Sequence, residues 1–392
     1  MSDPATAGGR GHRLVILTGL DLRAFRGGEK YAATLARELS ARGVSVLLYS
    51  KVDPNEHYRL RPEEIPAAVG VPYDFYRLFW LPLLPPLLLS PRKFLETLRR
   101  ADTIFSLEST PRFVALVVFL GHLLRRRTVV GLHDPTQVDT LAAQLRGSVG
   151  TAWKARRFAS VLRAADAVHT INVAQAATLR SCGVPSNVAM VNSFTTAEPR
   201  PRSTARSATF EALFVGPLER EQKGIDLLAD VAREVLRARP AVRLTVVGAG
   251  RDLPIVEGLE RDWPGRVRYL GFLPEGELPN VYAASDALLL TSRAESFSLV
   301  ALEAFTQGVP VVSFALPGLA DVTSVYPEGR VAPFDSSAFA ARVVGLHDLW
   351  ASDPARFDEL RTTCRRLALE RFGAAVQVPK LAEMLGLAIR PT

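Results

Sequence analysis

Sulfur chemistry is nearly absent from this chain. Its two cysteines, Cys182 and Cys364, lie far apart and form no C-x-x-C pair. That excludes a disulfide scaffold and a thiolate zinc site, and it suits a reducing compartment. Besides His133 there are His12, His57, His122, His169 and His347, none at metal-ligand spacing, so no metal and no cofactor are expected. No apolar run reaches the ~18 residues of a membrane-spanning helix. The opening "MSDPATAGGRGHR" has no apolar centre, so it is not a signal peptide, and residues 1–12 read as a disordered tail. No short repeat points to a solenoid. No basic segment interleaved with aromatics points to nucleic acid.

What is present is an ordinary globular composition, 48% hydrophobic and 22% charged, in 392 residues. That length favours two domains over one core. Net charge is +8, and it is uneven. Residues 1–190 hold 25 Lys and Arg against 15 Asp and Glu, while the remainder is slightly acidic. A basic first half suits an anionic partner on that side; an Arg-rich genome bias is the bland alternative.

Short apolar runs alternate with amphipathic ones almost throughout. "RLVILTG" reads as a buried strand, "GGEKYAATLARELSARG" as a helix stopped by Gly43, and "VSVLLYS" as the next strand. The alternation predicts parallel sheets covered on both faces. It breaks at "TTAEPRPRSTARSAT", polar and non-periodic, and then restarts. The fold class read from this is α/β, with two doubly wound Rossmann-like domains in series. The boundaries are 13–196 and 210–375, a linker over 197–209, and a C-terminal helix over 376–392 packing back on the first domain.

Two stretches of the first domain suggest a membrane surface. "LFWLPLLPPLLL" (78–89) is very apolar but holds three prolines. "PRKFLETLRR" (91–100) puts Phe94, Leu95 and Leu98 on one side of a basic helix. Such a pair fits an interfacial segment on an anionic bilayer. The competing reading is a core helix with a solvated face.

The run "ESFSLVALE" carries Glu295 and Glu303 at the ends of a nearly apolar stretch. It follows the strand pattern "DALLLTS" and turns helical near Ser298. Glu295 therefore sits at the carboxyl end of a parallel strand, where doubly wound sheets bind ligands. The helix start offers free N–H groups and a positive dipole end for phosphate, and Ser296 and Ser298 can cap it. Glu303, about one and a half turns on, can accept hydrogen bonds from vicinal hydroxyls, as acidic residues do with ribose. Glu295 can do the same for a sugar at the helix tip. Taken singly, each glutamate is also explained as an ordinary helix residue.

The stretch 278–322 resembles family 4 of the retaining glycosyltransferases, whose signature is Glu, seven residues, Glu, then a G-x-P-V-V strand. "EALFVGPLEREQKGIDLLADVA", "GGEKYAATLARELSARG", "VVGLHD" and "CGVPSNVAMVNSF" fall where that family keeps its other landmarks. The resemblance implies the GT-B fold, two Rossmann-like domains facing each other across a cleft. It implies a catalytic set of Glu295, Lys223 and His133. It implies a nucleotide-sugar donor site with Glu303 on the ribose and Lys223 on the diphosphate. Gly216, Phe297 and the backbone of Leu299 and Val300 complete that site. Gly27 and Gly28 would let the backbone approach donor or acceptor.

The chain also departs from the pattern. Pro217 stands where the family usually has arginine, and Arg220 is the candidate replacement. Ser296 and Ser298 replace common glycines, and Ser193 follows Asn192 in place of another. The activity implied is transfer of a hexose-type sugar, with retention, from a UDP- or GDP-linked donor to an acceptor hydroxyl. The basic first half favours a lipid-linked or glycan acceptor in cell-envelope synthesis, with the protein cytoplasmic and peripheral on the membrane. The alternatives are a sugar-nucleotide epimerase or phosphorylase, and a non-catalytic donor-binding or scaffold subunit, which Pro217 keeps open.

Overall fold

The computed structural model describes residues 12–19, 21–24, 27–52, 61, 63–79, 87–88, 90–107, 110–184, 187–201, 207–274 and 276–390. The expected tail apart from His12, most of the 78–89 run and residues 202–206 of the expected linker lie outside them; His12 Nε2 lies 3.1 Å from Thr103 Oγ1, so that residue is ordered. The chain divides into two compact units. The first holds residues up to Ile171, Gln175–Val191, and the chain from Gln377 onward; the second holds Asn172–Ala174 and Asn192–Val376.

In the first unit seven strands form one sheet. They are β1 (Arg13–Thr18), β2 (Ser45–Lys51), β3 (Tyr73–Tyr76), β6 (Thr103–Ser106), β7 (Arg127–Leu132), β8 (Ala167–Thr170) and β9 (Val188–Met190). The short strands β4 (Leu78–Phe79) and β5 (Leu87–Leu88) pair with each other, antiparallel. The seven-stranded order is β3-β2-β1-β6-β7-β8-β9, parallel throughout. β1 lies between β2 and β6, so successive crossovers leave it in opposite directions, and a crevice opens at the carboxyl ends there. Strands such as Leu14–Thr18 are buried along their whole length because helices cover both faces.

The helix Pro91–Arg100 decides one expectation. Phe94 and Leu98 are fully buried, in a cluster with Tyr49, Tyr76 and Phe113. The Phe94 ring lies 5.7 Å from those of both Tyr49 and Tyr76. The apolar stripe read as a membrane face is therefore core, and insertion of this helix into a bilayer is corrected. A ten-residue amphipathic pattern does not say which apolar surface it meets; here the sheet supplies it. No described helix is long and apolar enough to cross a membrane.

In the second unit the strands are β10 (Phe210–Val215), β11 (Val242–Val247), β12 (Val267–Tyr269), β13 (Ala287–Leu290), β14 (Val311–Phe314) and β15 (Arg330–Val331). Their order is β12-β11-β10-β13-β14-β15, again all parallel. The switch in direction falls between β10 and β13. The helix Leu299–Thr306 carries the second glutamate and runs between β13 and β14. The helices Ser336–Ser352 and Pro354–Phe372 complete the unit; Asp335 and Asp353 cap them by accepting from the Ala338 and Arg356 amides.

Candidate functional site

In the second unit the sequence-picked residues gather beyond β10 and β13. The turn after β10 passes Gly216 and closes as a four-residue helix, Arg220–Lys223. The Lys223 stem lies over Gly216, and its ammonium meets Glu295 Oε1 at 2.5 Å. Both side chains are largely buried, 16% and 8% exposed. Ser292 donates to the same oxygen at 2.9 Å. Glu295 Oε2 has no protein partner among the described residues.

Two backbone approaches hold this arrangement. Gly224 is left-handed at φ 61°, and a Cβ there would fall 2.2 Å from the Thr291 carbonyl oxygen. Only glycine lets the lysine turn sit against the strand end. Thr291 Oγ1 donates to the Lys223 carbonyl at 3.1 Å across the same contact. A Cβ on Gly318 would fall 1.8 Å from the Glu295 carbonyl, so the 316–319 segment closes over the glutamate loop.

Arg220 and Arg293 both flank the lysine turn and both meet carboxylates. Arg220 is 57% exposed; its Nε lies 3.2 Å from Asp252, and its amide donates to the same carboxylate. Arg293, which sequence reasoning passed over, forks onto Asp226 with two 2.7 Å bonds and donates to the Arg220 carbonyl. Its amide also donates to the Gln222 carbonyl at 2.8 Å. The Arg293 fork holds the Asp226 carboxyl below its usual range. Arg293 thus clamps the lysine turn to the glutamate loop.

Ser298 starts the glutamate helix with φ 74°, in a region L-residues rarely adopt. Its hydroxyl accepts from the Ala301 amide at 3.3 Å. The first turn of a helix has no intrahelical acceptors for its amides, so those of Leu299 and Val300 point outward at the tip. Phe297 is 2% exposed and meets Phe372 edge-on at 5.4 Å. Its side chain anchors the loop from behind, leaving only its backbone to meet a ligand. The Ser296 carbonyl accepts from Asn172 at 2.6 Å. Further along, Glu303 Oε2 accepts from the buried Tyr282 hydroxyl at 3.0 Å. Burial, and then the Glu303 charge, push that phenol well above its ordinary pKa, so it stays a donor.

In the first unit Gly27 and Gly28 open the helix Gly27–Ala41 after β1, both exposed. A Cβ on either would meet nothing within 4 Å. Packing does not demand glycine here. His133 follows β7, and its Nε2 lies 2.9 Å from His169 Nδ1 on β8. His169 Nε2 lies 2.9 Å from the Val191 carbonyl. A carbonyl only accepts, so His169 carries its proton on Nε2 and accepts at Nδ1 from His133 Nε2–H. His133 then presents a bare Nδ1. Burial and the neighbouring His169 hold His133 well below its usual range, and burial brings His169 down to about 4. Both rings are neutral at neutral pH. The signal for His169 was legible, a histidine inside the apolar strand "AVHT"; Arg293 and Tyr282 carried none.

Residues 25–194 match the family described as Glycosyltransferase Family 4, and residues 209–348 the one described as Glycosyl transferases group 1. Glycogen synthase of Mycobacterium tuberculosis (strain ATCC 25618 / H37Rv) is 34% identical over 153 residues, 38% of this chain and 36% of that protein. The D-inositol 3-phosphate glycosyltransferase of Segniliparus rotundus is 39% identical over 119 residues, 27% of this chain and 25% of that one. The chain spans well under half the length of these curated relatives. Among solved structures, Anabaena Alr3699/HepE in complex with UDP superposes with a TM-score of 0.71 at 19% identity, covering 96% of this chain and 99% of that one. Sucrose-phosphate synthase from Thermosynechococcus elongatus gives 0.66 at 19% identity, covering 95% and 98%.

Proposed function

We propose, from a chain that has the GT-B fold and matches glycosyltransferase families along both units, that this protein moves a sugar from a nucleoside-diphosphate donor to an acceptor hydroxyl. The observation that carries this reading is the Lys223–Glu295 pair before the start of the Leu299–Thr306 helix, with Glu303 further along that helix. A nucleotide sugar already has a good leaving group. The enzyme has to stabilise charge on the departing diphosphate and hold the acceptor close. Lys223 and the free amides at Leu299 and Val300 supply positive potential at one place. Glu303, steadied by Tyr282, offers an oxygen to ribose hydroxyls. Glu295, with Oε1 occupied by Lys223 and Ser292, offers Oε2 to hydroxyls of the transferred sugar. His133 presents a neutral acceptor nitrogen to the acceptor or to the sugar.

The finer reading is a retaining transfer of a hexose-type sugar to a lipid-linked or glycan acceptor at an anionic membrane surface. The basic first half supports the surface. So do Phe119 and Leu123, exposed on the helix Pro111–Leu124, and Trp153, exposed on the helix Val149–Ala164 with Arg157 4.8 Å over its ring.

The deciding experiment is calorimetric titration of the full chain with UDP and GDP, repeated on Glu303→Ala. One nucleotide should bind, and the variant should lose about tenfold or more in affinity, as expected for a hydrogen bond to a charged group. If neither nucleotide binds the wild type, the donor reading fails and a scaffold role replaces it.

A further inference from the structure

The first unit carries a second concave surface, at the opposite edge of its sheet. His133 and Gly27 stand at the carboxyl ends of strands. A recess of about 1010 Å³ lies instead at the amino ends, where β1, β2, β6 and β7 begin. Its walls come from five separate stretches of chain and include Arg13, Arg42, Arg99, Arg100, Arg126 and Arg390. Asp102 is the single carboxylate among the lining residues.

The charges are not neutralised. Arg42 is 5% exposed and is paired with Glu38, so it belongs to the wall. Arg126 donates to the Arg99 carbonyl at 2.6 Å and stands 3.9 Å from Asp102. Asp102 spends its other oxygen on the Arg13 amide at 2.9 Å. The guanidinium groups of Arg13, Arg99, Arg100 and Arg390 meet no carboxylate among the described residues. Helix ends contribute some negative potential here, since Arg99 and Arg100 close the helix Pro91–Arg100. Half a charge at such an end does not offset four unpaired guanidiniums. Holding like charges in one recess is unfavourable unless an anion sits among them.

The recess is also tied in place. The Arg390 amide donates to the Arg42 carbonyl at 3.1 Å, and the Asp102 amide donates to the Arg13 carbonyl at 2.8 Å at the strand starts. The C-terminal segment is thereby fixed as one wall. An arginine-rich composition explains scattered surface arginines, but not their convergence on one concavity from five stretches.

We infer that this recess is a binding site for a soluble oligophosphate, separate from the donor site. Guanidinium forks match phosphate oxygens, and several of them at fixed positions select a ligand carrying more than one phosphate. A concave site rimmed by arginines suits a small polyanion better than a flat bilayer. The inference stands apart from the transferase reading, because it uses none of the same residues.

Tripolyphosphate is the probe, titrated calorimetrically into the full chain at low salt. The wild type should bind it, and affinity should fall steeply with added salt. Arg13→Ala/Arg100→Ala/Arg390→Ala should weaken binding at least about tenfold. The corresponding triple lysine variant, which keeps the charge, should lie between the two. UDP affinity should be unchanged in both. Three results would overturn the inference: no binding by the wild type; binding that UDP displaces or that the triple variants leave intact; or capture of anionic vesicles, sensitive to the triple substitution, with no binding of tripolyphosphate. Should the alanine variant fail to fold, the lysine variant and the salt dependence decide alone.

Discussion

Ser298 shows how one residue trades backbone strain against a cap. Its φ of 74° costs an L-residue about 1–2 kcal/mol, while its hydroxyl caps the helix that carries Glu303. Ser298→Gly relieves the strain and loses only a few tenths of a kcal/mol from the cap. It should therefore stabilise the fold by about 1 kcal/mol. Ser298→Ala keeps the strain, loses the cap and should destabilise by about 1 kcal/mol. Urea unfolding of the two variants checks the opposite signs; equal shifts would show that the serine does neither. The buried histidines set an acid limit of a different kind. Their folded pKa values lie below the unfolded value near 6.5, so between about 6.5 and 4 the unfolded chain binds more protons than the folded one. Stability should fall as pH drops through that window, by on the order of 3 kcal/mol from His169 alone. Carboxylates with depressed pKa, such as Asp226, act at lower pH. Denaturation midpoints at pH 7 and 4.5 should differ less in His169→Asn than in wild type. An identical pH dependence would remove His169 as its source.

At the scale of elements, the helix Pro91–Arg100 and the loop 291–298 teach opposite lessons. The helix was legible as amphipathic from spacing, but its partner was not. The same stripe of Phe94 and Leu98 serves a bilayer or a sheet face equally well, and long-range packing chose the sheet. Phe94→Ala should cost about 3–5 kcal/mol in chemical denaturation, as for any large side chain removed from a core. Loss of vesicle binding at unchanged stability would return this helix to the membrane. The loop 291–298 was placed correctly at a strand end because a parallel-sheet pattern dictates that position. Its internal wiring was not legible. Arg293 reads in sequence as one surface charge among many; it becomes a clamp only because β10 and β13 are neighbours, a pairing between residues far apart in the chain. Nothing local announces Asp252 as the partner of Arg220 either.

For the whole molecule, the C-terminal segment carries the boldest consequence. Residues from Gln377 onward belong to the first unit. Thr103 donates to the Leu385 carbonyl at 3.0 Å, Arg127 donates to the Met384 carbonyl at 2.9 Å, and Leu381 and Leu385 are fully buried. Ending the chain at Val376 should destabilise the first unit by about 3 kcal/mol or more, from the lost apolar burial. Calorimetric melting should show an early transition that UDP does not move, while the UDP-sensitive transition stays in place. A single unshifted melt would show that the segment carries no stability. Sequence alone determined that two α/β units follow each other, that a helix start faces the end of a parallel strand, and that Glu295, Glu303 and Lys223 belong to that place. Periodicity, turn residues and a resembling motif are local, and local patterns survive in one dimension. Tertiary structure alone decided that Arg293 is a clamp, that Phe94 is core, that His169 sets the proton on His133, and that six arginines line one recess. Those facts depend on which strands are neighbours, and strand order is set by packing over the whole chain rather than by any stretch of it.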